Sequence, residues 1–322
     1  MPRPARLMLA AIASTLALTL AACGGSDASE SDTSSGSDTR TVEDTMNGTV
    51  EDVPTDPQRI VALWRTGSLL ADMGVEPVGS LEGEFLVEEL GPDVYAEYED
   101  VPTVGTFEGV DVEKVIELEP DLIIGMDNGG LSIDYDELSE VAPTVILDIK
   151  EPTDVWDNYP TVADLVGEST DFEKKNAALD AALADVSEQY GDTVGGLEVT
   201  SLGAYEGAIY VDTSKSLTWR RLDAAGFGYN PDFTDNPERY SEELSQENIA
   251  DLADQDIIFY DATLEGEATP DTQALLDTAS FKRLPAAKKG NVFPLTSGTI
   301  YTFAAADLQV EDLTEAAENY RP

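Results

Sequence analysis

Two copies of one short pattern constrain the fold of this chain more than any other feature of its sequence. The first copy, EKVIELEPDLII at residues 113–124, begins with Glu113, and the second, ENIADLADQDIIF at residues 247–259, begins with Glu247. In each copy the glutamate opens a short one-sided helical pattern, and an aspartate then leads into apolar residues typical of a buried strand. Two such units, far apart in the chain, indicate two similar α/β lobes, and similar lobes commonly hold a ligand between them.

Short apolar runs alternate with helical stretches in both halves of the chain. The predicted strands are residues 59–63, 77–81, 122–125 and 145–147 in the first half and residues 198–202, 209–211, 256–260 and 291–295 in the second. Helical patterns such as residues 67–73 and 111–118 separate them. This alternation predicts an α/β protein with two Rossmann-like lobes, whose mostly parallel sheets are covered on both faces.

Residues 169–192, between the two halves, form the clearest helical pattern. Thr170 with Glu173 predicts a capping box at its start, and Gly191 predicts a cap at its end. Apolar residues follow one side of this helix, namely Phe172, Leu179, Leu183, Val186 and Tyr190. A helix of this length spans roughly 30 Å. We therefore expect it to join an N-terminal lobe at residues 49–168 to a C-terminal lobe at residues 193–322.

The first residues resemble an export signal that ends in a lipid attachment site. Arg3 and Arg6 precede an apolar stretch at residues 7–20, which is too short to span a membrane and predicts a signal peptide at residues 1–22. Cys23, the only cysteine, follows Leu-Ala-Ala, and this sequence resembles the bacterial lipoprotein box, in which the cysteine is lipidated. Residues 26–40 are rich in Ser, Asp, Thr and Gly, so we expect a disordered tether at residues 23–48.

Composition excludes several kinds of function. The chain has no histidine and one cysteine, which excludes Ser–His–Asp and Cys–His catalysis and histidine-based zinc, manganese or haem ligation. Its 65 acidic and 18 basic residues would repel nucleic acid and anionic lipid. Carboxylate pairs leave a surface hydrolase open. We interpret acidic clusters such as Asp127–Asn128 as solvated loops, because the calcium-loop pattern is absent, and we predict no metal site.

The order of several motifs from about residue 48 to residue 300 resembles a known family. The matching stretches are residues 57–63, 74–79, 104–105, 113–124, 135–145, 246–249, 281–284 and 291–295. In this order they resemble the substrate-binding lipoproteins of ABC importers for iron-siderophores, cobalamin and haem. The resemblance implies a binding protein with no catalytic activity and no cofactor, which captures a small molecule between two lobes. It also implies that Glu113 and Glu247 dock onto the permease dimer of an importer. An ATPase that associates with this permease would be the further partner.

Tryptophans next to arginines are the main candidates for ligand contact. Two short segments show this arrangement: Trp64–Arg65, just after the first predicted strand, and Trp219–Arg220–Arg221 in the second half. Open α/β sheets bind ligands at such strand ends, and Trp219 with Arg221 resembles the Trp-x-Arg of hydroxamate-siderophore binders in the family. Aromatic rings supply rigid contact area, and guanidinium groups donate to carboxylate or hydroxamate oxygens. Weaker candidates are Phe107, Trp156, Tyr205 and Tyr301.

These residues favour a ferric siderophore of the hydroxamate type. Cobalamin and haem stay open as ligands in the same class; haem would need a tyrosine ligand here. From other classes, a carboxylate-dependent surface hydrolase and a sensor lipoprotein stay open. We expect a pocket that locally reverses the negative charge of the chain. We also expect a monomer, exported and held at the outer face of the cell membrane only by its lipid.

Overall fold

A computed structural model of the protein describes residues 38–322. The predicted signal peptide at residues 1–22, the predicted lipidation site Cys23 and the tether residues 24–37 lie outside the described residues. Across the described part, parallel-rich sheets alternate with helices, which confirms the predicted α/β class. Along the same residues, no helix combines the length and apolar character that a membrane span requires.

The described chain begins with a hairpin of β1 (Thr39–Thr45) and β2 (Gly48–Pro54). The backbone N–H of Met46 donates to the Ile146 carbonyl at 2.7 Å, and the Asn47 side chain donates to the Thr144 carbonyl at 2.8 Å. The predicted tether boundary at residue 48 is therefore wrong. Residues 39–48 are ordered because their backbone groups pair with β2 and with the edge of the neighbouring sheet, which composition does not reveal.

A six-stranded sheet forms the first lobe, in the order β6-β5-β4-β3-β7-β8. Its strands are β3 (Ile60–Ala62), β4 (Gly79–Leu81), β5 (Thr103–Thr106), β6 (Gly109–Val110), β7 (Leu122–Asp127) and β8 (Thr144–Asp148), and its helices are α1 (Gly67–Asp72), α2 (Val87–Tyr98), α3 (Val112–Glu117), α4 (Tyr135–Ser139) and α5 (Thr153–Leu165). All neighbours are parallel except β5 and β6. Every residue of β7 is buried, as expected for a central parallel strand covered on both faces.

The second lobe contains a five-stranded sheet in the order β11-β10-β9-β12-β13. Its strands are β9 (Val199–Tyr205), β10 (Ala208–Asp212), β11 (Ser241–Leu244), β12 (Ile257–Ala262) and β13 (Val292–Thr296), and its helices are α7 (Leu217–Ala224), α8 (Pro270–Asp277), α9 (Pro285–Lys289) and α10 (Phe303–Asn319). Strand β12 is parallel to both of its neighbours, β9 and β13, whereas β10 is antiparallel to both of its neighbours, β9 and β11. The second Glu unit forms a 3-10 helix, Gln246–Leu252, rather than an α-helix.

Helix α6 (Ser169–Val194) follows the last strand of the first sheet and precedes the first strand of the second in the sequence. It packs against helices of both lobes. It buries Phe172, Leu179, Leu183 and Val186, the side on which the apolar pattern falls. The predicted caps are wrong. The N-cap is Glu168 without a side-chain hydrogen bond, and the helix continues past Gly191 to a C-cap at Gly195. Tertiary packing of the apolar face outweighs these weak local capping signals.

Asp72, the last residue of α1, connects helices of both lobes. Its Oδ2 accepts from the Tyr159 hydroxyl at 2.6 Å and from the Phe303 backbone N–H at 2.8 Å. Lys175 of α6 donates to the Asp72 carbonyl at 3.0 Å. One residue thus joins α1, α5, α6 and α10, and burial raises the pKa of the Asp72 carboxyl.

Candidate functional site

A cavity of about 1070 Å³ opens between the two lobes. The first lobe contributes Leu86, Glu88 and Glu89 from the beginning of α2 and Pro152 from the beginning of α5. The second lobe contributes most of the remaining wall, from the ends of β9, β10 and β12, the N-terminus of α7 and residues 297–300. Its volume slightly exceeds the range usual for small-molecule sites, about 300–1,000 Å³, so it suits a large ligand.

Three tyrosines of the second lobe present their rings to this cavity. Tyr205, Tyr210 and Tyr240 all line it, and they remain 64%, 36% and 42% exposed. Exposed large aromatic side chains that converge on one cavity offer rigid apolar contact area with a polar hydroxyl at the end. This surface can bind the flat or apolar parts of an organic ligand.

Carboxylates dominate the charge of the cavity wall. Six carboxylate side chains line it, from Glu88, Glu89, Asp212, Glu243, Asp261 and Asp271. Among the same lining residues Arg239 is the one cationic side chain. The expected local reversal of charge is therefore wrong. The sequence contains the signal, because Asp212 and Asp261 directly follow predicted strands, but so many acidic residues follow other elements that it does not stand out.

Strand register brings Asp212 and Asp261 to one face of the second sheet. Val211 and Tyr260 both pair with Leu202 of the intervening strand β9, so the next residue on each strand lies on the same face. A Cβ on Gly203 would lie 2.6 Å from Asp261 Oδ2, so glycine at this position leaves room for the carboxylate. Burial raises the pKa of both carboxyl groups, and the nearby charge of Asp261 raises the pKa of Asp212 further.

Arg65 borders the cavity on the first-lobe side. Its Nη1 lies 3.5 Å from Oε1 of the cavity-lining Glu89, and its guanidinium lies 5.5 Å from the Trp64 ring centre and 5.6 Å from that of Tyr301. The contact with Tyr301 crosses from the first lobe to the second. Arg65 also has a left-handed φ of 66°. Burial raises the pKa of the nearby Glu84 carboxyl to about 8, although the charge of Arg65 acts in the opposite direction.

Tyr205 is the one predicted ligand-contact residue among those that line the cavity. Trp64 lies against the exposed Phe107, with ring centres 6.4 Å apart, and Tyr301 is buried beside Arg65. In the second cluster, Trp219 is half-buried and donates its backbone N–H to Ser216 Oγ at 2.9 Å.

The two arginines of the second cluster have protein partners. Arg220 forms two hydrogen bonds with Asp157, at 2.6 and 3.1 Å. Arg221 is 5% exposed and stacks over the buried Trp156, with its guanidinium carbon 4.2 Å from the ring centre. Ligand contact by the eight predicted residues outside the cavity wall stays a prediction.

Glu113 and Glu247 are both exposed, one on each lobe. Glu113 lies in the first turn of α3, where the Asp111 side chain accepts the Lys114 N–H as an N-cap. Glu247 lies in the first turn of the 3-10 helix. Carboxylates are stabilised at such positions by the helix dipole, and both side chains are free to meet a partner.

Comparisons with known proteins identify the family. The sequence model described as "Periplasmic binding protein" matches residues 88–299. The chain is 29% identical to the probable siderophore-binding lipoprotein YfiY of Bacillus subtilis, over 94% of each chain. It is 27% identical to the iron(3+)-hydroxamate-binding protein YxeB of the same organism, over 96% of this chain and 95% of that one.

A solved structure has the same fold. The siderophore periplasmic binding protein from the fuscachelin gene cluster of Thermobifida fusca superposes with a TM-score of 0.73 and 25% identity, covering 83% of this chain and 98% of that one. Because the family model spans about two thirds of the sequence, this chain belongs to the periplasmic binding protein family.

Proposed function

We propose that the protein captures a ferric siderophore, with the hydroxamate type favoured, between its lobes and delivers it to an ABC importer. The observation that carries this proposal is the inter-lobe cavity of about 1070 Å³ with its three exposed tyrosines. Relatives named as binding siderophores and iron(3+)-hydroxamates support it. Members of this family bind solutes and do not transform them, so the protein is not an enzyme and the hydrolase alternative is set aside.

A siderophore also suits the chemistry of the cavity better than a bare metal ion. Within residues 38–322, no group of three or more carboxylate, histidine or cysteine side chains has a metal-holding arrangement. A siderophore brings its own iron ligands, so the protein needs contact area and hydrogen bonds instead. Cobalamin and haem would contact the same three tyrosines. The names of the relatives given above, however, refer to binding of a siderophore or an iron(3+)-hydroxamate and not to cobalamin or haem.

Ligand titration tests the proposal directly. Quenching of tryptophan fluorescence should be measured for ferric hydroxamates, ferric catecholates, haem and cobalamin under the same conditions. We expect saturable quenching by at least one ferric hydroxamate, confirmed by calorimetry because the iron complexes absorb light. Binding of haem or cobalamin alone would replace the siderophore, and binding of none of the four would refute the proposal.

Delivery to an importer would use Glu113 and Glu247. Two exposed carboxylates, one on each lobe, can pair with cations on a two-fold permease dimer, and such pairs set orientation and association rate more than affinity. Reversing both charges (Glu113→Lys with Glu247→Lys) should leave ligand affinity unchanged and abolish uptake in cells. The matched control is Glu173→Lys with Glu188→Lys on α6, which makes the same charge change at exposed positions. Equal uptake by both double variants would exclude this docking pair.

Attachment to the outer face of the cell membrane would depend on Cys23. Two acyl chains give stable anchoring where a single chain is marginal. Relatives named as lipoproteins support this placement. Cys23→Ala should abolish incorporation of a labelled fatty acid and release the protein from cells. Absence of label in the unaltered protein would exclude lipidation.

A further inference from the structure

Residues 234–240 form an irregular segment at the edge of the binding cavity. They lie between the 3-10 helix Pro231–Phe233 and β11, outside regular secondary structure, and most of them are exposed. Two consecutive side chains of this segment, Arg239 and Tyr240, line the cavity. An exposed segment without a helix or strand of its own has few contacts that fix it, so the position of these side chains depends on what holds the segment.

The residues that follow β10 hold the 234–240 segment through its backbone carbonyl groups. The Thr213 hydroxyl donates to the Arg239 carbonyl at 2.5 Å, and the Thr213 N–H donates to the Tyr240 carbonyl at 3.0 Å. The Ser214 hydroxyl donates to the Thr234 carbonyl at 3.1 Å. Both ends of the segment are therefore held by uncharged donors that belong to the same lobe.

Lys215, the next residue, connects the segment to the first lobe. Its Nζ donates to the Glu238 carbonyl at 3.0 Å and lies 3.1 Å from Oε1 of Glu151, just before α5. Pro152 and Ser216, which follow Glu151 and Lys215 in the chain, both line the cavity, so this ion pair lies at the cavity edge. One ammonium group thus joins the 234–240 segment of the second lobe to the first lobe.

The ion pair is partly shielded from solvent, with side chains 40% exposed for Lys215 and 31% exposed for Glu151. An exposed ion pair contributes little by itself, but here the same ammonium group also makes a charge-assisted hydrogen bond to a backbone carbonyl. Removing the ammonium group breaks both contacts at once. Removing the Glu151 carboxylate breaks one of them and leaves the hydrogen bond to the Glu238 carbonyl.

We propose that Lys215 is a positioning residue of the binding cleft. Its ammonium group holds the 234–240 segment against Glu151 of the first lobe, so that Arg239 and Tyr240 face a ligand held between the lobes. The proposal rests on the proposed function and adds a residue that shapes the cavity wall without contacting the ligand. Loss of the ammonium group should therefore loosen the segment in the ligand-free protein and weaken ligand binding.

Limited digestion of the ligand-free protein with trypsin measures how readily the segment opens. Trypsin cleaves after Arg239 only when the surrounding chain opens locally. Lys215→Met removes the ammonium group and keeps a side chain of similar length. We expect cleavage after Arg239 to become about three- to tenfold faster, as for loss of a partly exposed charged contact. Cleavage after Lys289, an exposed residue at the end of α9, should keep its rate.

Three further variants separate the cross-lobe contact from a general loss of charge. Lys150→Met is the matched control, because it removes an exposed lysine that pairs with Asp148 at 2.8 Å within the first lobe. It should leave cleavage after Arg239 unchanged. Lys215→Arg keeps the charge and should keep most of the protection. Glu151→Gln should lie between the unaltered protein and Lys215→Met.

Binding of ferrichrome tests the consequence for the ligand. This ferric trihydroxamate is neutral, because its three hydroxamates balance the charge of the ferric ion, so a lost positive charge does not by itself reduce affinity. We expect Lys215→Met to weaken binding about three- to tenfold, mainly through faster dissociation. Lys150→Met should bind like the unaltered protein. If ferrichrome does not bind, a ferric siderophore that does bind in the titration above takes its place.

The two measurements separate this inference from the proposed function. If Lys215→Met leaves cleavage after Arg239 unchanged, or accelerates cleavage after Lys289 equally, the positioning role is refuted, whatever the protein binds. If cleavage changes as expected but affinity does not, the role of Lys215 in ligand binding is refuted. If no ferric siderophore binds the unaltered protein, the proposed function fails, while digestion still decides whether Lys215 holds the segment. Should Lys215→Met fail to fold, Glu151→Gln compared with Lys150→Met decides the same question.

Discussion

Replacing Arg221 with methionine should stabilise the protein. Arg221 lies on the buried side of α7, is 5% exposed, and has no hydrogen-bond partner for Nε or Nη2 within the described residues. Burial, and next the neighbouring charge of Arg220, lowers its pKa from 12.5 to about 10. At about 1.4 kcal/mol per pKa unit, keeping this guanidinium charged in the fold costs roughly 3 kcal/mol.

The contact with Trp156 offsets part of that cost. A desolvated guanidinium over a tryptophan ring contributes about 2 kcal/mol, and here the distance to the ring centre is 4.2 Å. The net cost of the charged side chain is therefore about 1 kcal/mol. Methionine has a similar length and no charge, so Arg221→Met should raise the free energy of unfolding by about 1 kcal/mol. Arg221→Ala leaves a cavity and should lie about 3 kcal/mol below the methionine variant.

Urea denaturation followed by circular dichroism measures these differences, and ligand titration of the same samples separates the two roles of this arginine. If Arg221→Met is less stable than the unaltered protein by more than about 1 kcal/mol, the electrostatic argument is wrong. A tenfold loss of affinity with unchanged stability would instead support the ligand contact predicted from the Trp-x-Arg resemblance.

Three further predictions concern Asp72 and the carboxylates of the cavity wall. Asp72→Ala should lower the free energy of unfolding by about 3 kcal/mol, because a tyrosine hydroxyl and the N–H at the start of α10 lose their acceptor, and Asp72→Asn should cost less; denaturation measures both. Gly203→Ala should displace the carboxylate of Asp261 and weaken binding of a ferric hydroxamate, whereas Gly196→Ala, with open space around its Cβ, should not. Burial raises the pKa of the Asp212 carboxyl in the folded protein to about 8. Between about pH 4 and pH 8 this carboxyl therefore keeps its proton in the folded protein and loses it in the unfolded chain, so the free energy of unfolding falls as pH rises through that range. Asp212→Asn should therefore raise the unfolding midpoint at about pH 8 and leave it unchanged near pH 4.

The two-lobed α/β architecture and the long helix α6 could be predicted from sequence because their signals are local and periodic. A buried parallel strand such as β7 needs consecutive apolar residues, and a helix packed on one side needs them every three or four residues. Both patterns can be recognised from neighbouring residues alone, without knowledge of the tertiary structure. Capping residues are weaker signals, and packing overrode them at Thr170 and Gly191.

The binding cavity was decided by tertiary structure. Its tyrosines and carboxylates come from strand ends and loops that are distant in sequence, and they meet only because β9 separates β10 and β12 in a fixed register. The Trp–Arg clusters are conspicuous in the sequence, but the direction of each side chain depends on which elements pack beside it. The fold places Arg221 over the Trp156 ring and pairs Arg220 with Asp157. Asp212 and Asp261, two among 65 acidic residues, line the cavity instead. Composition and periodicity determine which residues must be buried; only the packed fold determines which polar groups face one another across a cleft.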